Sequence, residues 1–165
     1  MSNPPVIALP KTSSDRTLDL MTVFLLVVFW GISFYYYNDL PEEIPIHFDY
    51  AGEVDNYADK KTIFLLPLFG SMLAGFLTLV SRHPETFNYT VTITQENAER
   101  QYRNAMLMMR VMRIVIVFVF MLIDWEVIQI ALGNSEGLGV WFLPILLIVV
   151  FVPIIYFAIR SKRLR

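Results

Sequence analysis

Four stretches of this chain are apolar for long enough to cross a bilayer, and polar segments separate them. A hydrocarbon core about 30 Å thick takes roughly 20 helical residues at about 1.5 Å each. Residues 20–37 and 62–80 carry no charged side chain. Residues 113–132 begin at Arg113 and hold Asp124 and Glu126, and residues 138–159 contain Pro144 and Pro153. A membrane helix tolerates proline when neighbouring groups satisfy the freed carbonyls. The pattern predicts an all-α integral membrane protein of four helices. Its remaining parts are a tail at 1–19, a folded Pro-rich loop at 38–61, a loop and amphipathic helix at 81–112, a tight turn at 133–137 and a basic tail at 160–165. Gly70 and Ala74, or Ser71 and Gly75, give the second helix small-residue faces for close packing.

Charge sets the expected orientation. Of thirteen basic residues, Lys11, Arg16, Arg82, Arg100, Arg103, Arg110, Arg113, Arg160, Lys162, Arg163 and Arg165 fall on one side, and only Lys60 and Lys61 on the other. The positive-inside rule then places both termini and the middle loop in the cytoplasm. The acidic loop after the first span faces outward, with Tyr35, Tyr36 and Tyr37 at the outer interface and Trp125 and Trp141 toward the outer helix ends. The first stretch is too long for a signal-peptide core and has bulky Trp30 and Tyr35 where small cleavage residues belong, so it reads as an uncleaved anchor. A mean hydropathy of +0.53 agrees with a membrane location. The net charge of −2 gives no field for nucleic acid, and the lack of cysteine excludes disulfides and thiolate sites.

In the outer loop, Pro41 and Pro45 exclude a regular helix. Ile44, Ile46 and Phe48 alternate like a short strand packed on the helix ends, and Ala51-Gly52 offers a turn. The run Leu40-Pro41, Ile44-Pro45, His47-Phe48, Gly52 and Asp55, followed by Lys60, resembles the N-terminal domain of SdpI-type immunity proteins, domain of unknown function number 1648. The resemblance continues through Asn88-Tyr89, Ile93-Thr94, Asn97, Arg100-Gln101-Tyr102, Gln129, Ala131-Leu132-Gly133 and Glu136-Gly137-Leu138-Gly139. Asp49 and Tyr57 depart from it, where Asn and Trp are usual. The resemblance implies a small four-helix form of a protein that protects a bacterium from a secreted toxic peptide, and it brings no enzymatic residues.

Three groups of residues are candidates for chemistry. In the loop these are His47, Asp55, Pro45, Phe48, Gly52 and Lys60, read as a binding surface. His47 with Asp49 and Asp55 has the donor types for a divalent cation, but a single imidazole more often buttresses a loop, and neither metal nor cofactor is assigned. Within the third span, Asp124 lies about 16 Å from Arg113, near the bilayer midplane, where a carboxylate costs about 2.5–3.5 kcal/mol. It is expected to be neutral or to face partners such as the tyrosines ending the first helix. Glu126 points roughly 200° away from it, nearer to Gln129. Before that span, Thr94 reads as an N-cap, with Glu96–Arg100 and Glu99–Arg103 as helical ion pairs. Arg100, Arg103, Arg110 and Arg113 form a basic run that docks a soluble partner or anionic lipid, or merely snorkels at the interface.

No Gly-rich phosphate loop, Gly-x-Ser-x-Gly or His-Glu-x-x-His is present, so the chain is not read as an enzyme. The leading expectation is a receptor or immunity-type protein of the bacterial cell membrane. Its outer loop would meet a secreted peptide or envelope protein, and its inner helix a soluble protein. The alternative is a small transporter or ion-coupled subunit using Asp124, Glu126 and Gln129. A membrane enzyme with His47 and Asp55 at the outer face comes third.

Overall fold

The computed structural model describes residues 4–165. Helix α1 spans Ser13–Tyr36 and starts on a reciprocal cap. The Thr12 hydroxyl accepts the Asp15 N–H at 3.2 Å, and the Asp15 carboxylate accepts the Thr12 N–H at 2.9 Å. The helix therefore begins well before the apolar stretch and carries Asp15 and Asp19 as its first polar turns. After the loop, Lys60–Phe64 winds as a 3-10 turn into α2, Leu65–Val80. Pro67 sits in the first turn of α2, where a missing N–H costs nothing. Helix α3 is one continuous rod, Ala98–Ala131, and α4 spans Phe142–Arg163. Counting the 3-10 turn with α2, these four helices are long and apolar enough to cross a membrane.

Helix α3 is the hub and packs on α1, α2 and α4, while α4 packs chiefly on α3. Phe29, Ala74 and Val117 meet in the middle of the bundle. The small face Gly70–Ala74 is the buried one, because a side chain at Gly70 would meet the rings of Phe29 and Phe120. Ser71 turns toward α1, where it accepts the Trp30 indole N–H at 3.1 Å. Large apolar side chains such as Phe24, Phe76, Ile148 and Ile155 remain exposed around the outside, as a lipid-facing surface requires.

The loop between α1 and α2 is an antiparallel hairpin of β1, Glu43–Phe48, and β2, Val54–Asp59. Its register runs Glu43↔Asp59, Pro45↔Tyr57, His47↔Asn56 and Phe48↔Val54. Two bulges explain that sequence of pairs. Ile46 is the extra residue on β1, and Asp55 answers it on β2, so the register returns to its starting offset. This corrects the simple alternation expected for Ile44, Ile46 and Phe48. Ile44 is buried and Phe48 packs on Leu40, Ile63, Val127 and Ile128, but Ile46 is turned out to solvent.

Two further boundaries differ from expectation. Asn97 rather than Thr94 is the N-cap of α3, although the pair still acts together: the Thr94 hydroxyl accepts from Asn97 N and the Asn97 side chain accepts from Thr94 N. The last helix begins at Phe142 instead of residue 138, because Gly137 and Leu138 are committed elsewhere. Glu53 and Gly137 form an antiparallel bridge, and Leu138 N donates to Gly52 O at 2.8 Å. The turn before α4 is thereby stitched to the hairpin tip.

Candidate functional site

At the hairpin end, the paired bulges bring His47 and Asp55 together. Nδ1 of His47 lies 2.6 Å from Asp55 Oδ1, and both side chains are solvent-accessible. Asp49 does not join them, since its Oδ1 accepts the N–H groups of Ala51 and Glu53 and closes the tip. The other expected loop residues hold the hairpin down. Pro45 is buried, and Phe48 packs on the core. Lys60 Nζ reaches Glu42 at 3.1 Å and the Leu40 carbonyl at 3.3 Å, and lies 5.4 Å from the Tyr37 ring centre. Gly52 has φ +81°, and a Cβ there would lie 2.7 Å from Gly139 N. The large apolar and aromatic side chains that the hairpin presents outward are Ile46, Tyr50 and Tyr57. Beside β2 runs an open groove of about 830 Å³ lined by Val54, Tyr57, Ile130, Asn134, Glu136 and Val140.

The three polar residues of the third span do not converge. Asp124 is fully buried and faces Ser33 of α1, not the terminal tyrosines. Tyr36 instead packs edge-on against Trp125. Glu126 lines an apolar crevice of about 410 Å³ between α3 and α4, with Phe118, Leu122 and Trp141. Gln129 accepts from the Asn134 side chain at 3.1 Å and so braces the turn.

One hydroxyl proton constrains the Ser33–Asp124 contact. Ser33 Oγ lies 2.7 Å from Asp124 Oδ2 and 3.2 Å from the Phe29 carbonyl. Ser33 either shares its proton between the two oxygens or donates to Phe29 alone, and in the second case each contact has a proton of its own only when the carboxyl donates to Ser33. Asn in place of Asp124 keeps a donor there, so Asp124→Asn is expected to stay within about 1 kcal/mol of the parent. Ser33→Ala strips the carboxyl of its partner among the described residues and should cost about 1–3 kcal/mol. Thermal midpoints in mild detergent rank the two, and the reverse order rules out the proton placement.

At the opposite end, the expected basic run divides. Arg110 and Arg113 are buried and cannot serve as a docking surface. Their partners are acids on α1: Arg110 Nη1 lies 3.0 Å from Asp15, and Arg113 Nη2 bonds Asp19. Arg113 also donates to the Thr78 hydroxyl of α2, and Lys11 closes the set on Asp19 at 2.7 Å. This ionic layer joins three helices. Arg103 pairs with Glu99 at 2.9 Å as expected, whereas Arg100 reaches the Arg165 carbonyl instead of Glu96. Nearby, the buried Gln101 amide donates to the carbonyls of Ser161 and Leu164, and the Asn104 amide to that of Phe157. These two residues clamp the end of α4 through its main-chain carbonyls. Asp15, Asp19 and Asn104 were not singled out from sequence, and Gln101 entered only through the family resemblance. Their one visible signal is spacing, Asp15/Asp19 at i,i+4 and Gln101/Asn104 at i,i+3, which puts each pair on one helix face.

Residues 24–70 match the family model described as Domain of unknown function (DUF1648), a region that takes in most of α1, the hairpin and the start of α2. An uncharacterized protein of Archaeoglobus fulgidus is 25% identical over 87 residues, covering 48% of this chain and 48% of that protein. The chain therefore spans about half the length of the relative it matches. No solved structure matches it.

Proposed function

We propose that this chain is a non-enzymatic, multi-pass protein of the bacterial inner membrane, a receptor or immunity-type protein that binds an extended peptide or envelope partner at its hairpin end. Both termini lie in the cytoplasm and the hairpin lies outside, a reading supported by the distribution of basic residues. The observation that carries the binding role is the open flank of β2. The sheet has two strands only, and β2 is paired on one side, with the groove on the other. A peptide adding as a third strand gains main-chain hydrogen bonds from that flank and side-chain contacts from Tyr57 and Val140. The stretch Glu53–Gly137, where the chain itself makes such a bridge, supports the same geometry. The transport alternative gains no support, because Asp124, Glu126 and Gln129 face three different neighbours.

The chain lacks cysteine, so labelling is clean. In intact cells, an impermeant thiol reagent should modify Tyr57→Cys and spare Glu85→Cys. The secreted peptide fraction of the host should then slow labelling of Tyr57→Cys severalfold while leaving Glu42→Cys, away from the groove, unchanged. Labelling at residue 85 alone sinks the orientation; equal protection at both loop positions sinks the groove.

A further inference from the structure

The end of the bundle away from the hairpin holds a cavity of about 320 Å³ among the start of α1, the start of α3 and the end of α4. Four arginines contribute to its lining, Arg100, Arg103, Arg110 and Arg160. Asp15 is the single carboxylate of the lining, and Arg110 already engages it. Arg103 has Glu99 and Arg100 Nη2 lies 3.4 Å from the Arg165 main-chain oxygen, while among the described residues no side-chain carboxylate lies within ion-pair distance of Arg100 or Arg160. Positive charges gathered around one small cavity repel each other, and a bound anion relieves that repulsion.

Three other features of the cavity fit an oxyanion. Thr12 and Ser14 bring the N-terminus of the 24-residue α1 to its wall; the reciprocal cap of Thr12 and Asp15 takes two of its N–H groups, and the positive helix end favours negative charge there. Arg110 is about 95% buried there, and its Nε makes no hydrogen bond, its nearest carboxylate oxygen being that of Asp19 at 3.5 Å. Asn104 is equally buried with its Oδ1 unpartnered, an acceptor for a hydroxyl donor next to the anion. The wall is not polar throughout. Met106, Leu107 and Leu164 continue it with apolar surface, beside the point where the spans enter their hydrophobic region. We propose that this cavity binds the phosphodiester headgroup of an anionic phospholipid, with arginines on the phosphate, Asn104 on a headgroup hydroxyl, and the apolar wall along the glycerol and first acyl carbons. The site lies at the other end of the bundle from the peptide groove and stands or falls independently of it.

Native mass spectrometry of the full chain released from nanodiscs of mixed phosphatidylglycerol and phosphatidylcholine tests this. The parent should retain phosphatidylglycerol in preference. The double substitution Arg100→Gln with Arg160→Gln should reduce that preference about twenty-five-fold, the product of two roughly fivefold losses near an anionic surface. Ser14→Glu, at an exposed position in the first turn of α1 where acids suit the helix, should reduce it without loosening the fold. Arg82→Gln, an exposed arginine outside the cavity, should leave it unchanged. Equal retention of both lipids by the parent, or a preference that survives both cavity variants, overturns the proposal. So does full displacement of phosphatidylglycerol by excess inorganic phosphate, which would assign the site to a soluble phosphate.

Discussion

Asp19→Ala is expected to destabilise the bundle by about 3–5 kcal/mol, the cost of leaving a buried cation without its partner. Asp19 is the acid on which Lys11, Arg110 and Arg113 converge. Arg110 keeps Asp15 when it is removed, but Arg113, its side chain only 5% exposed, keeps just the Thr78 hydroxyl. Neither arginine can reach water without parting α1 from α3. Unfolding in mild detergent, followed by a thermal or denaturant midpoint, measures the loss. The informative partner is the double substitution Asp19→Ala with Arg113→Met, which removes the orphaned charge and should recover most of the stability. If Asp19→Ala alone costs less than about 1 kcal/mol, the arginines reach headgroups and the layer is an exposed one.

The second large effect lies at the hairpin tip. Gly52→Ala meets two obstacles: a positive φ of +81° that penalises a side chain, and the Gly139 backbone 2.7 Å from the new Cβ. The first costs about 1–2 kcal/mol and the overpacking about 1–3 kcal/mol. Gly137→Ala has only the steric obstacle, its Cβ running into the Gly52 carbonyl oxygen. Both variants should undock the tip from the turn before α4, with Gly52→Ala the worse. Hydrogen exchange at Leu138, whose amide is bonded to Gly52 O, reads this directly and should speed up by one or two orders of magnitude for roughly 2 kcal/mol of lost docking. Gly75→Ala serves as the control, since nothing lies within 4 Å of a Cβ there. Slow exchange at Leu138 in Gly52→Ala would mean that the tip yields without undocking.

The helices were legible because length and apolarity are one-dimensional properties. The continuity of Ala98–Ala131 followed from a basic, amphipathic run with no glycine or proline to stop it. What sequence could not supply was facing. Counting residues from Arg113 gave Asp124 a height along α3 but no neighbour, and Ser33 of α1 is the group it meets. The same gap hid Arg110 and Arg113, which share a side with Arg103 on paper yet turn into α1. In the hairpin, a period of two located β1 but could not show that Ile46 is skipped in the ladder, because a bulge leaves no mark in the alternation. The bulged residue is the one that ends up outside.

The stitch between Gly52 and Leu138 joins the first half of the chain to nearly its last helix. Synthesis runs from the N-terminus and delivers the hairpin long before the segment that pins it. Helices α1 and α2 share few contacts of their own, and the acids of α1 wait for arginines that arrive with α3. A nascent chain thus carries an unpinned hairpin and unpaired charges at opposite ends, and both are resolved only as α3 and α4 enter. A chain halted before residue 138 therefore differs from one that has passed it at the hairpin tip, in a Gly52 carbonyl still without its amide partner.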